Sequence, residues 1–165
     1  MPTLETTPAT TGANIFLEQS RIIRAPRPHV YEAWTKPEIL KQWFGNTGKY
    51  CHSATLDVHV GGAYRIEVAP IVPPESAGTD MATRTFAAFG AYTRIVPNEL
   101  LQFTWSSDWV PGEDTLVTVT FMDARGGTQV DIRHERFATE QSRNDHNNGW
   151  AGCLEHLEAF ADKLQ

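Results

Sequence analysis

Between residues 53 and 136 apolar side chains recur at every second position, and over the last part of the chain the period changes to 3.6. That switch admits few architectures. Leu101, Phe103 and Trp105 share one face of LLQFTWSS, Val117, Val119 and Phe121 one face of TLVTVTFMDA, and Val130, Ile132 and His134 one face of TQVDIRHERF. Tyr64, Ile66 and Val68 match them in AYRIEVA, and TRTFAAFGAYTRIV supplies a further strand. Turn residues separate the runs: Gly61-Gly62 after ATLDVHV, then Pro97-Asn98-Glu99, Trp109 to Asp114, and Arg125-Gly126-Gly127. Antiparallel hairpins that are apolar on one face need a cover on that face alone. HNNGWAGCLEHLEAF provides it, as part of a final helix of about 20 residues. At 100° per residue Trp150, Leu154, Leu157, Ala161 and Leu164 form one stripe, which His146 joins a turn earlier.

Two glycines interrupt that helix, each costing about 1 kcal/mol against alanine. Gly149 lies at the edge of the stripe, beside Cys153 and Phe160. There a missing side chain lets the helix approach the sheet or leaves room for a ligand; alternatively the regular helix begins only at this point. Gly152 falls on the opposite, polar side, where a bend or a contact with a second copy of the chain, as in a homodimer, would account for it.

Upstream, NIFLEQSRII (14 to 23) reads as a first strand. Pro26 and Pro28 sit in the first turn of a short helix whose apolar face is Val30, Ala33 and Trp34. Thr35 and Glu38 have capping-box spacing, so a second short helix is expected over 36 to 44, burying Leu40, Trp43 and Phe44. PIVPPESAGTDMA (70 to 82) is too rich in Pro and Gly for a regular element and is expected to be a long loop, a candidate lid. The expected order is strand, two short helices, six strands, long helix: an α+β domain over 14–165, preceded by a disordered tail over 1–13.

At 165 residues the chain has the length of one domain. A net charge of -6 with scattered basic residues leaves no electrostatic footprint for nucleic acid or an anionic membrane. No apolar run approaches the roughly 18 residues that span a bilayer. MPTLETTPATTGAN lacks the basic and apolar regions of a secretory signal, and Cys51 and Cys153 lack C-x-x-C spacing, so free thiols in a reducing cytoplasm are expected. Their separation is not readable from sequence, and a disulfide stays open.

The stretches RIIRAPRPHVYEAWTKPEILKQWF, LDVHVGGAYRI, FGAYTRIVPNELLQFTW, VDIRHERF and NNGWAGCLEHL together resemble the START-like (SRPBCC) superfamily, and within it the proteins related to the C-terminal domain of the activator of heat-shock protein 90 ATPase. The resemblance spans residues 15 to 164. It implies a helix-grip fold: a curved seven-stranded antiparallel sheet wrapped around the long C-terminal helix, with a cavity between them near the two short helices. It also implies a small apolar or amphipathic ligand, but no single reaction, since members of the superfamily include lipid and hormone carriers, cyclases and stress-response proteins. One position departs from the family pattern. Relatives commonly carry arginine in the strand before the double glycine, where this chain has His59, and alternation with Leu56, Val58 and Val60 turns that side chain away from the core.

The candidate ligand-binding residues are Trp34, Trp43, Phe44, Tyr64, Tyr92, Phe103, Trp105, His134, His146 and Trp150. For each aromatic the competing reading is plain core packing; the inward tyrosines also need a hydroxyl partner, which a wet or liganded pocket supplies. His134 and His146 are polar exceptions on apolar faces. They are satisfied core groups, or they orient a polar ligand group, or they act as general acid and base. Cys51, His52 and His59 make a poor metal site, because the first two are adjacent and the third faces outward. There is no nucleophile elbow, and Gly61-Gly62 and Gly126-Gly127 are turn glycines rather than phosphate cradles, so no cofactor is expected. Three functions follow as rivals: binding of an apolar or aromatic small molecule, a cyclase, lyase or hydratase using the two histidines, and a module that docks on a chaperone.

Overall fold

A computed structural model of the chain describes residues 15–45, 48–71 and 85–165. The elements run β1 (Phe16–Ile23), α1 (Arg27–Thr35), α2 (Pro37–Trp43), β2 (Lys49–Leu56), β3 (Ala63–Pro70), β4 (Phe86–Val96), β5 (Leu100–Ser107), β6 (Thr115–Ala124), β7 (Gly127–Glu135), α3 (Glu140–Phe160) and a 3-10 turn (Ala161–Leu164). All neighbouring strands pair antiparallel in one seven-stranded sheet of order β1-β7-β6-β5-β4-β3-β2. β2 to β7 form a meander, and β1 crosses to pair with β7. The curved sheet, the long closing helix and the two short helices after β1 make this the helix-grip fold.

Period-two alternation predicts the buried face. Leu101, Phe103, Trp105, Val117, Val119, Phe121, Val130, Ile132 and His134 are all buried, as are Tyr64 and Ile66. α3 lays Trp150, Leu154 and Leu157 on that face, and Ala161 and Leu164 continue the stripe through the 3-10 turn. Burying one large apolar side chain is worth roughly 1.5–3 kcal/mol, so these contacts offset two interior glycines. The helix starts at Glu140, where the Thr139 hydroxyl accepts from Ser142 N at 3.1 Å, and it is regular through both glycines. It does not begin at Gly149. Nor does Gly152 lie on an open polar face: it is buried, because α3 runs with β1 along one side and α2 along another and is enclosed beyond a single stripe.

Three other expectations need correcting. Thr35 and Glu38 form no capping box. Thr35 ends α1 and its hydroxyl donates to Tyr31 O at 3.1 Å, while Pro37, which needs no amide acceptor, opens α2. The strand expected over 54 to 60 begins earlier, at Lys49, and ends at Leu56. Residues 57 to 62 form a tight connection in which Gly62 N donates to His59 O, and a Cβ on Gly62 would sit 2.0 Å from Asp57 O. His59 is therefore exposed through the connection rather than through strand alternation. Pro70 closes β3; the rest of the loop expected over 70 to 82, apart from Ile71, lies outside the described residues, as does the 1–13 tail.

Candidate functional site

The sheet register places Trp105 on β5 opposite Thr115 on β6, and Val117 opposite His134 on β7. Alternation turns Trp105, Thr115 and His134 to the inner face. On α3, residues four apart share a face, so His146 and Trp150 project onto that same patch of sheet. The four rings meet: His134 and His146 have centroids 5.1 Å apart, Trp105 and His134 5.5 Å, and Trp105 and Trp150 5.4 Å.

Donor and acceptor chemistry fixes the state of both histidines. An indole N–H can only donate, so the 3.0 Å bond from Trp150 Nε1 makes His134 Nδ1 an acceptor. The proton of neutral His134 then sits on Nε2, which donates to Thr115 Oγ1 at 2.7 Å, and that hydroxyl donates on to Trp105 O at 2.9 Å. His146 has the opposite tautomer. Its Nδ1 donates to Ser142 O at 2.8 Å, and its Nε2 accepts from Trp105 Nε1 at 3.3 Å. Complete burial, reinforced by neighbouring His146, holds His134 well below the ordinary histidine range. Both ring nitrogens of each histidine are engaged within the protein.

Next to this framework lies a pocket of about 340 Å³. α3 contributes Asp145, Gly149 and Cys153 at four-residue spacing, together with His146 and Trp150. Phe44 and Gly45 follow α2, Lys49 opens β2, and Val68 and Phe86 face in from β3 and β4. Trp105 on β5 and Trp109 in the β5–β6 connection complete the wall, with Trp109 lying over His146 at 5.6 Å between centroids. The wall is mainly carbon. Burial raises the Cys153 thiol to about 12 and Cys51 to about 11, so both are neutral thiols rather than nucleophiles, and both are free. Behind the pocket is an inner chamber of about 20 Å³, which shares Phe44, Trp105 and Trp150 with it and is otherwise bounded by Trp34, Tyr64, Tyr92, Phe103 and neighbouring aliphatic side chains.

The structure thus divides the residues singled out from sequence. Phe44, Trp105, His146 and Trp150 line the pocket, and Trp34, Tyr64, Tyr92 and Phe103 line the inner chamber. Tyr64 finds its hydroxyl partner in Thr104 O at 2.7 Å. Trp43 and His134 line neither: Trp43 is a rivet between the short helices, donating to Ala33 O at 2.9 Å, and His134 is sealed at 0% exposure. Trp109, Phe86, Lys49 and Asp145 were not singled out. Asp145 and Cys153 share four-residue spacing with Gly149 and were legible on that ground; Trp109 sits in a connection that has no period. Cys51, His52 and His59 do not converge, since Cys51 Sγ faces Ser53 O, His52 faces Glu67 and His59 pairs with Asp57. No cluster of three metal-ligating side chains occurs among the described residues.

The family model for Activator of Hsp90 ATPase homolog 1-like protein matches residues 24–162. The chain belongs to this family. Solved structures agree: protein CV1439 from Chromobacterium violaceum is 27% identical with a TM-score of 0.74, over 88% of this chain and 96% of that one. The AHSA1 protein SPO3351 from Silicibacter pomeroyi is 18% identical with a TM-score of 0.75, over 92% of this chain and all of its own, and shows the shared fold. DynU16, from the dynemicin biosynthetic locus, has the fold at 17% identity and a TM-score of 0.64, over 89% of this chain and 47% of its own. No curated relative matches the chain. Among the described residues, no helix is long and apolar enough to cross a membrane.

Proposed function

We propose that this Activator of Hsp90 ATPase homolog 1-like domain binds one small, largely apolar or aromatic molecule in the pocket between α3 and the sheet. The observation that carries the reading is an aromatic-walled space of about 340 Å³ whose inner polar groups are already hydrogen-bonded to one another. That volume lies at the lower end of the roughly 300–1,000 Å³ typical of small-molecule sites, and apolar walls with few polar groups are their usual composition. Acid–base catalysis needs a ring nitrogen free to exchange a proton with the ligand. Neither histidine offers one without breaking a hydrogen bond to Trp105, Trp150, Thr115 or Ser142, so binding is favoured over the cyclase, lyase or hydratase reading. The occurrence of the fold in a product of a biosynthetic locus is compatible with such a ligand. Two free buried thiols suit the reducing cytoplasm.

Titration with N-phenylnaphthylamine, a neutral fluorescent apolar probe, tests the reading. Saturable one-to-one uptake, competed away by fluorene, is expected. No uptake by the folded protein, or non-saturating uptake insensitive to fluorene, would contradict it.

A further inference from the structure

Among the described residues, a single buried side-chain polar atom lacks a hydrogen-bond partner: Trp34 Nε1. Its side chain is 4% exposed and lines the inner chamber. The neighbouring indoles are different. Trp43 donates to Ala33 O, Trp105 to His146 and Trp150 to His134. Leaving a buried N–H without an acceptor costs about 1–3 kcal/mol, so an orphan amid satisfied tryptophans marks a place where a partner belongs.

The chamber has room for about one small group, and its shared walls Phe44, Trp105 and Trp150 set it against the main pocket. Building on the binding reading above, we infer that the ligand carries a neutral hydrogen-bond acceptor, a carbonyl or ether oxygen, at its inner end and that Trp34 Nε1–H donates to it. An indole N–H can only donate, so the group it recognises must present a lone pair. No cationic side chain lines the chamber among the described residues, so a carboxylate there would be a buried unpaired charge. The selected ligand class is an apolar or aromatic ketone, quinone or ether that enters oxygen first.

Fluorene and fluorenone have nearly the same shape and differ by one acceptor. Calorimetric titration of the wild-type protein should show fluorenone bound about fivefold to tenfold more tightly, the worth of one neutral hydrogen bond. The Trp34 indole N–H resonance should move downfield with fluorenone and not with fluorene. In Trp34→Phe the two affinities should become equal, and replacing the Trp34 indole with benzothiophene, which keeps the ring shape and removes the N–H, gives the same readout should Trp34→Phe fail to fold. If fluorene binds and fluorenone binds no better, with the indole resonance the same for both, a trapped water is the partner and the inference fails while the pocket reading stands. Retention of the preference without the N–H also overturns it. If neither probe binds folded wild-type protein, both readings fall.

Discussion

Trp105 and Trp150 belong to two regions that share their rings and differ in everything else. On one side lies the framework of His134, His146, Thr115 and Ser142, in which every polar atom described has a partner. On the other lies a pocket whose wall is mostly carbon and, behind it, a chamber with one unpartnered N–H. The framework holds two tryptophan rings at fixed angles, and the pocket uses the surfaces so positioned. Polar residues on an apolar face are here a means of rigidity, because a satisfied buried network specifies one arrangement of its members. Under the proposed function, the pocket side is where a ligand would add contacts.

The largest effect is expected at the centre of the framework. His134→Ala orphans the Trp150 N–H and opens a void in a fully buried site, and should cost about 3–5 kcal/mol by urea unfolding, with probe binding lost alongside. A loss under about 1 kcal/mol would show that the network holds nothing in place. Acid probes the same residue more gently. Above pH about 6.5 His134 is neutral both folded and unfolded, and contributes no pH dependence. Below it the unfolded chain takes up a proton that the folded chain refuses, so stability should fall as pH drops, by up to about 1.4 kcal/mol per pH unit. Unfolding midpoints at pH 7.5, 6.5 and 5.5 check the sign, and His134→Gln should flatten the slope.

The pocket side should respond in the opposite sense. Gly149→Leu puts a better helix former into α3 and a side chain against the pocket wall. Stability should hold or rise by up to about 1 kcal/mol while N-phenylnaphthylamine affinity drops at least about tenfold. Weaker binding with equal loss of stability would mean that the two regions are not separable. The smallest effect is expected in the 57–62 connection: His59→Ala, at an exposed position, should stay within about 0.5 kcal/mol and leave binding unchanged.

These contrasts also explain what was readable from the chain. Inner faces of β5, β6 and β7 follow from alternation because the sheet is apolar on one side only. The start of β2 did not, since a register shift between Cys51 and Ser53 breaks the period just where the strand begins. A helical wheel puts Trp150 and His146 on the buried stripe but Gly152 on the open side, because it assumes a helix covered along one stripe. The candidate tryptophans and histidines were visible as residues; their pairing was not, since Trp150 meets His134 through a helix docking on a strand and no local pattern encodes that contact. Trp109 is not legible in the sequence, because residues in a connection carry no period.

In the proposed function, a small apolar molecule occupies the space framed by Trp105, Trp109 and Trp150. An isotope-filtered NOE spectrum of labelled protein with unlabelled fluorene tests it most directly. Cross-peaks are expected from fluorene to the rings of those tryptophans and of Phe44 and Phe86, abolished in Gly149→Leu. Cross-peaks confined to outward apolar residues such as Tyr50 and Ile71, or none at all from folded protein at saturating probe, would contradict it.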